Sequence, residues 1–336
     1  MLSWGLWTWL VLLIMIVASL TIPWFLVMVV ASIFVHEVGH LIFGWLTGYR
    51  FLSFGLSIFV LCKEGGKLKF KIVPEYVLCG HCHMIPPENE THLQDFEFVW
   101  YNLGGGVFEV LLLIVLIRLD GVLPYHDWRS GMVSIGIVII ACSLLWNLAP
   151  IFQNDGQNIW KALNCKAAKR GLYLAFYMPG ILNDGIRYSE LDSKLFYVSD
   201  TADFSDWRVA YIVVCQAAHL YDLGEYDKSI ACYEKLKNYN HPDFNTEIEL
   251  DHLYYYTIHS PDYGKARTIF ADNKVKKALK KHTRIVAAYE YFVNGDKEKG
   301  KELLQKAKDE AMKLPDNGTK LMEMDYCAKL EDVMEG

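Results

Sequence analysis

Two histidines and a glutamate, in His36-Glu37-Val38-Gly39-His40, carry the spacing with the most chemical content in this chain. On an α-helix residues i and i+4 share a face, so His36 and His40 can hold one metal ion. Glu37 projects beside them, where a carboxylate can take a proton from a water activated by that metal. The surroundings are apolar: from Met1 to Leu46, Glu37 is the only Asp, Glu, Lys or Arg. An ionisable side chain at bilayer depth costs about 2.5 kcal/mol or more and is read as functional for that reason. Two core histidines that flank a Glu by chance would leave that cost unexplained.

A metal site open to a substrate needs a third protein ligand and a free fourth position. Asp155 is the candidate, in Asn147-Leu148-Ala149-Pro150-Ile151-Phe152-Gln153-Asn154-Asp155-Gly156, at the end of an apolar stretch. Taken alone, Asp155 would read as an ordinary helix-end carboxylate. Pro150 removes one helix hydrogen bond and frees the carbonyl of Trp146, a place for water to enter. Asp184-Gly185 repeats the dipeptide but has no full apolar span before it, so it ranks well below Asp155.

The elements that must position these residues follow from hydropathy. Residues 4–20 and 24–46 are each long enough to span, with a turn expected at Thr21-Ile22-Pro23. Two more spans are expected over about 98–117 and 132–152. Between the second and third, Lys67-Leu68-Lys69-Phe70-Lys71-Ile72 alternates strictly, a strand signal, and Glu64-Gly65-Gly66 precedes it as a turn. Phe51–Leu61 and Tyr76–Met84 are the expected partner strands, giving a small β insert over about 51–84. Arg50, Lys63, Lys67, Lys69 and Lys71 follow the second span, and Lys161, Lys166, Lys169 and Arg170 follow the fourth. The positive-inside rule makes both sides cytoplasmic and, with four spans, puts both termini there.

The second half is charged and rich in Tyr, Lys and Glu, which predicts a membrane domain over 1–188 and a soluble cytoplasmic domain over 189–336. In the latter, Gly224-Glu225-Tyr226-Asp227, Asp262-Tyr263-Gly264 and Gly295-Asp296-Lys297 recur. Aligning Ser229, Ala266 and Gly300 gives steps of 37 and 34 residues, the spacing of paired-helix repeats, which need a small residue where two helices touch. The expected class is therefore an α-helical polytopic membrane protein with a small surface β-element and an all-α repeat domain. A net charge of −6 without a dense basic stripe excludes a nucleic-acid binder. Eight scattered cysteines form no disulfide framework. Cys79-Gly80-His81-Cys82 lacks the βαβ context of a redox motif; a second metal at Cys79, His81, Cys82 and His83 is an alternative, and the first reading is small and polar side chains on a surface strand.

The intramembrane His36-Glu37-x-x-His40, followed by Asn147-x-x-Pro150-x-x-x-x-Asp155-Gly156, resembles the site-2 protease family, peptidase family M50, over roughly residues 24–160. Gly104-Gly105-Gly106 is similar to the family's Gly-Pro-x-x-Asn segment, departing from it with Gly106 for Pro and Glu109 for Asn. The repeat region resembles tetratricopeptide repeats. The resemblance implies one zinc ion per chain, held by His36, His40 and Asp155, with Glu37 as general base. It implies a multi-pass protein of the cell membrane whose substrate is a transmembrane or membrane-associated peptide. Asn147, Pro150 and Glu109 are then candidates for substrate contact, and the edge around Lys67–Val73 could hold an unwound substrate by strand addition. The repeats would bind a protein partner along a concave face. Two other readings stay open: an inactive scaffold that acts through the repeats, and a metal-binding membrane transporter or sensor.

Overall fold

A computed structural model describes residues 4–74, 77, 79–87, 96–124, 128–151, 153–242 and 244–336, with 4–21 described in backbone only. The first element, α1 (Trp4–Leu46), is one unbroken helix of 43 residues with Pro23 inside it. The turn expected at Thr21-Ile22-Pro23 does not form, so the first two expected spans are one helix. Proline removes a single N–H from the ladder. In an apolar run the flanking backbone has no better partner than its own helix, so the remaining bonds persist. Among the described residues, Ile22–Leu46 and Trp128–Leu148 are the two helices long and apolar enough to cross a membrane.

Helices α2 (Val99–Val122) and α3 (Trp128–Leu148) pack with α1 as a three-helix bundle. Met28, Leu116, Val133 and Ile140 form its apolar centre. Trp24 Nε1 of α1 donates to the Met132 carbonyl at 2.8 Å. The polar residues Ser32, His36, Glu37, His40 and Glu109 are buried, while Phe34, Leu111, Val115, Val138 and Leu145 face outward. That distribution inverts the pattern of a soluble bundle. Close approach of α1 and α2 depends on glycine: a Cβ on Gly39 would lie 2.2 Å from the Gly104 carbonyl oxygen.

Four strands follow α1: β1 (Arg50–Leu56), β2 (Phe59–Glu64), β3 (Lys67–Ile72) and β4 (Gly80–Ile85). Their order in the sheet is β3-β2-β1-β4, with β1 antiparallel to both neighbours. The strand expected over Phe51–Leu61 is two, because the chain reverses at Ser57, whose φ is 51°. Gly65 and Gly66, at φ 55° and 78°, make the tight turn before β3. Of the expected Tyr76–Met84 strand, Tyr76 and Leu78 lie outside the described residues. Met84 of β4 is fully buried, its Sδ where a Cβ on Gly44 would be.

The chain divides into two compact units: Met1–Lys63 with Leu68–Asn164, and Cys165–Gly336 with Glu64–Lys67. The division falls before α5 (Lys166–Asn183), rather than at 188/189, because α5 buries Leu172, Leu174, Met178 and Ile181 and packs on α6 (Trp207–Asp222). The second unit is then built of helical hairpins: α6 with α7 (Tyr226–Cys232), α8 (Asn245–Tyr254) with α9 (Tyr263–Ala271), and, after α10 (Asn273–Ala278), α11 (Thr283–Ala288) with α12 (Lys297–Ala311). The final helix is α13 (Asn317–Glu335). Ser229, Ala266 and Gly300 are all buried at equivalent places. Ser229 Oγ donates to the Ala217 carbonyl at 2.8 Å, and a Cβ on Gly300 would lie 2.6 Å from that of Tyr291. Asp222 ties α6 to α13, accepting from Arg187 and, at 2.9 Å, from the Tyr326 hydroxyl. Burial works against its ionised form, but these donors and Ser189 outweigh it and hold the carboxyl at about 2.

Gly39→Ala should destabilise the full chain by about 3 kcal/mol, because the added methyl meets backbone that cannot yield. Gly121→Ala, whose Cβ meets nothing within 4 Å, should leave it unchanged or stabilise it by up to about 1 kcal/mol. Thermal unfolding in detergent measures both, and equal melting temperatures would refute the close helix contact.

Candidate metal centre

His36 and His40 occupy successive turns on the face of α1 that meets α2 and α3. Asp155 reaches them from a different element. Helix α3 ends at Leu148, earlier than the expected 152, and α4 (Asp155–Asn164) begins seven residues later. Phe152, the last residue of the expected fourth span, lies outside the described residues. Asp155 is therefore the first residue of a new helix, not the last of a span. Asn154 makes this reversal. Its Nδ2 donates to the Trp146 carbonyl and, at 2.9 Å, to the Ala149 carbonyl, closing the end of α3. Its Oδ1 accepts from the Gln157 N–H at 2.9 Å, capping α4. The Trp146 carbonyl that Pro150 frees is thus taken by a side chain. Gly156 is required because a Cβ there would lie 2.1 Å from the Leu148 carbonyl oxygen. Asn158 anchors α4 by donating to Asn102 Oδ1 of α2 at 3.2 Å.

The three ligand atoms converge. His36 Nε2 and His40 Nε2 are 2.9 Å apart, and Asp155 Oδ2 lies 3.0 Å from the first and 3.2 Å from the second. Ligands at about 2.0–2.1 Å around a tetrahedral zinc are separated by about 3.3 Å, so the set fits one such ion with the fourth position left over. Second partners agree with that use. His40 Nδ1 lies 2.8 Å from the Tyr101 carbonyl oxygen, an acceptor only, so the proton of the neutral ring sits on Nδ1 and Nε2 is bare.

Glu37 points to the side of α1 where β4 begins. A Cβ on Gly80 would lie 2.7 Å from Glu37 Oε1, so the strand passes the carboxylate at close range only because residue 80 is glycine. Tyr101 fixes β4 there by donating its hydroxyl to the Cys82 carbonyl at 2.6 Å.

The remaining expected residues fall into three places. Glu109 is fully buried behind His36, with Oε2 3.4 Å from Nδ1, so it is not placed to touch a substrate. Asn147 lies beside it, its Nδ2 3.5 Å from the same nitrogen and 3.3 Å from Ser143 Oγ. Pro150 is exposed in the turn after α3. Asp184 caps α5 in the second unit. In the Cys79–Cys82 segment, Cys82 and Met84 are buried while Cys79 and His83 are exposed, and among the described residues His36, His40 and Asp155 make the one metal-competent group. Sequence reading placed Gly80 in a strand but did not give it, Asn154, Tyr101, Ser32 or Ser143 a part in the site. Only Asn154 left a local signal, an Asn three residues before a backbone N–H it caps.

No protein-family model, curated protein or solved structure matches this chain. Its function is argued from the geometry.

Full-length protein should bind one zinc per chain after purification in detergent. His36→Ala, His40→Ala and Asp155→Ala should each abolish stoichiometric binding, measured by elemental analysis after gel filtration. Retention of a full equivalent in Asp155→Ala would remove Asp155 from the ligand set.

Proposed function

We propose that the chain is a membrane-embedded zinc metalloendopeptidase of the site-2 protease type. It hydrolyses a transmembrane or membrane-associated peptide near the cytoplasmic face. The observation that carries this reading is the convergence of His36 and His40 with Asp155, more than 100 positions later in the chain, beside a buried Glu37 in a bundle that is apolar outside. A scaffold has no use for a general base next to a metal-competent triad, and neither does a transporter.

The chemistry that a bound zinc supplies is polarisation of the scissile carbonyl and activation of water. Glu37 takes the proton of the attacking water and returns it to the leaving amine. Its burial beside the imidazoles keeps it from bulk solvent and limits its motion. Among the described residues no further His, Cys, Asp or Glu joins the group that Asp155 and the two histidines form. A substrate helix hides its carbonyls and must unwind to reach this point. Strand addition, expected at β3, is proposed instead at β4. The sheet order puts β3 at the far edge, whereas β4 is the edge strand that passes Glu37.

In this reading α1 and α3 cross the membrane, and α2, packed between their contacts and joined to α3 by a short connection, crosses with them. Three crossings put the start of α1 on the face opposite the sheet, in place of the even count expected. The basic residues of the sheet and of Lys161–Arg170 support a cytoplasmic reading of the segments that carry them, and the helical hairpins of the second unit are proposed as a site for a protein partner.

Expressed in cells, the wild type should generate a fragment of a membrane protein that disappears in Glu37→Gln while zinc stays bound. Gly80→Ala should likewise keep zinc but reduce cleavage by tenfold or more, since about 1.4 kcal/mol of misplacement is tenfold in rate. Mass spectrometry of membrane fractions reads both. An unchanged fragment pattern in Glu37→Gln defeats the protease reading.

A further inference from the structure

We propose that Glu109 is a positioning residue that fixes the orientation and tautomer of His36, so that its Nε2 is free for the metal. This rests on the metal-centre reading above. Three observations carry it. First, Glu109 is 0% exposed, in the middle of α2, and no substrate can reach it. Second, its two oxygens are used differently. Oε1 accepts from Ser32 Oγ of α1 at 3.3 Å and from Ser143 Oγ of α3, so all three helices meet at this one atom. Oε2 has no hydrogen bond of its own and lies 3.4 Å from His36 Nδ1. Third, Nδ1 is on the far side of the ring from Nε2, the atom that meets Asp155 and His40.

A neutral imidazole carries one ring proton. Ligation through Nε2 requires that proton to be on Nδ1, and a buried Nδ1–H requires an acceptor. Two groups are near. Asn147 Nδ2 is a donor and cannot serve, and its other contact is to Ser143 Oγ, whose own hydroxyl proton goes to Glu109. The series Asn147 to Ser143 to Glu109 therefore runs in one direction and ends on an acceptor. Oε2 of Glu109 is the atom left for His36. His40 is held the same way by a different group, the Tyr101 carbonyl. The two rings thus receive one backbone and one carboxylate partner, and the carboxylate makes His36 the more basic ligand.

The test separates charge from shape. Glu109→Gln keeps the length and the acceptor for both serines, but presents an NH2 to Nδ1 and so favours the tautomer with its proton on Nε2. Glu109→Asp keeps the charge but, one methylene shorter, draws the carboxylate back and lengthens the serine contacts. Zinc affinity of the full-length protein is measured by competition with a chromophoric chelator, cobalt absorption reports the ligand field, and melting of the metal-free protein reports packing. Glu109→Gln should bind zinc about 10–100-fold more weakly, with an unchanged metal-free melting temperature. Glu109→Asp should melt lower yet bind more tightly than Glu109→Gln. A purely structural role gives the reverse order, and wild-type zinc affinity in Glu109→Gln overturns the proposal. If Glu109→Gln fails to accumulate, the Asp variant decides: zinc held despite weakened packing supports the role, and zinc lost overturns it. Failure of the wild type to bind zinc, or retention of zinc in His36→Ala, would instead defeat the metal-centre reading itself.

Discussion

Polar atoms buried in an apolar bundle must find partners, and that requirement shapes the first unit more than any other. His36, His40, Glu37, Glu109 and Asp155 are held among helices whose outer faces are Phe, Leu and Val. Each unpaired group there would cost several kcal/mol. The structure answers with near-complete pairing. Tyr101 takes one imidazole from behind and Glu109 the other, Ser32 and Ser143 hold Glu109, and Asp155 meets both rings from in front. The glycines follow from the same requirement. Gly39 against Gly104, Gly105 against the His36 ring and Gly80 against Glu37 bring backbones close enough for these contacts to form.

The metal-competent triad is completed from outside the span that carries its histidines. Asp155 opens α4, and its position depends on Asn154 closing one helix while starting the next, and on Gly156 lying against the Leu148 carbonyl. The site is thus assembled from the C-terminal half of α1, the first residue of α4 and, beside Glu37, the first residue of the edge strand β4.

What could be read from the sequence was local. The i, i+4 histidines, the alternation of Lys67–Ile72, the double glycine before it and the small residues at 229, 266 and 300 all express a period or a turn within a few residues. What could not be read depended on which faces meet. Thr21-Ile22-Pro23 carries a turn signal, yet the helix continues, because an apolar environment favours keeping the ladder over exposing its ends. Glu109 was visible as an acid in an apolar run, but its task is set by a histidine 73 positions earlier and by serines on two other helices. Gly80 reads as an ordinary strand glycine until Glu37 is seen beside it.

The central claim is that one zinc ion is held by two imidazoles of α1 and the carboxylate of α4. X-ray absorption at the zinc edge, on the purified full-length protein, tests it most directly. The account predicts two imidazole nitrogens and carboxylate oxygen within about 2.0–2.2 Å, and loss of the carboxylate contribution in Asp155→Ala. A sulfur shell near 2.3 Å, or a spectrum unchanged by that substitution, would contradict it.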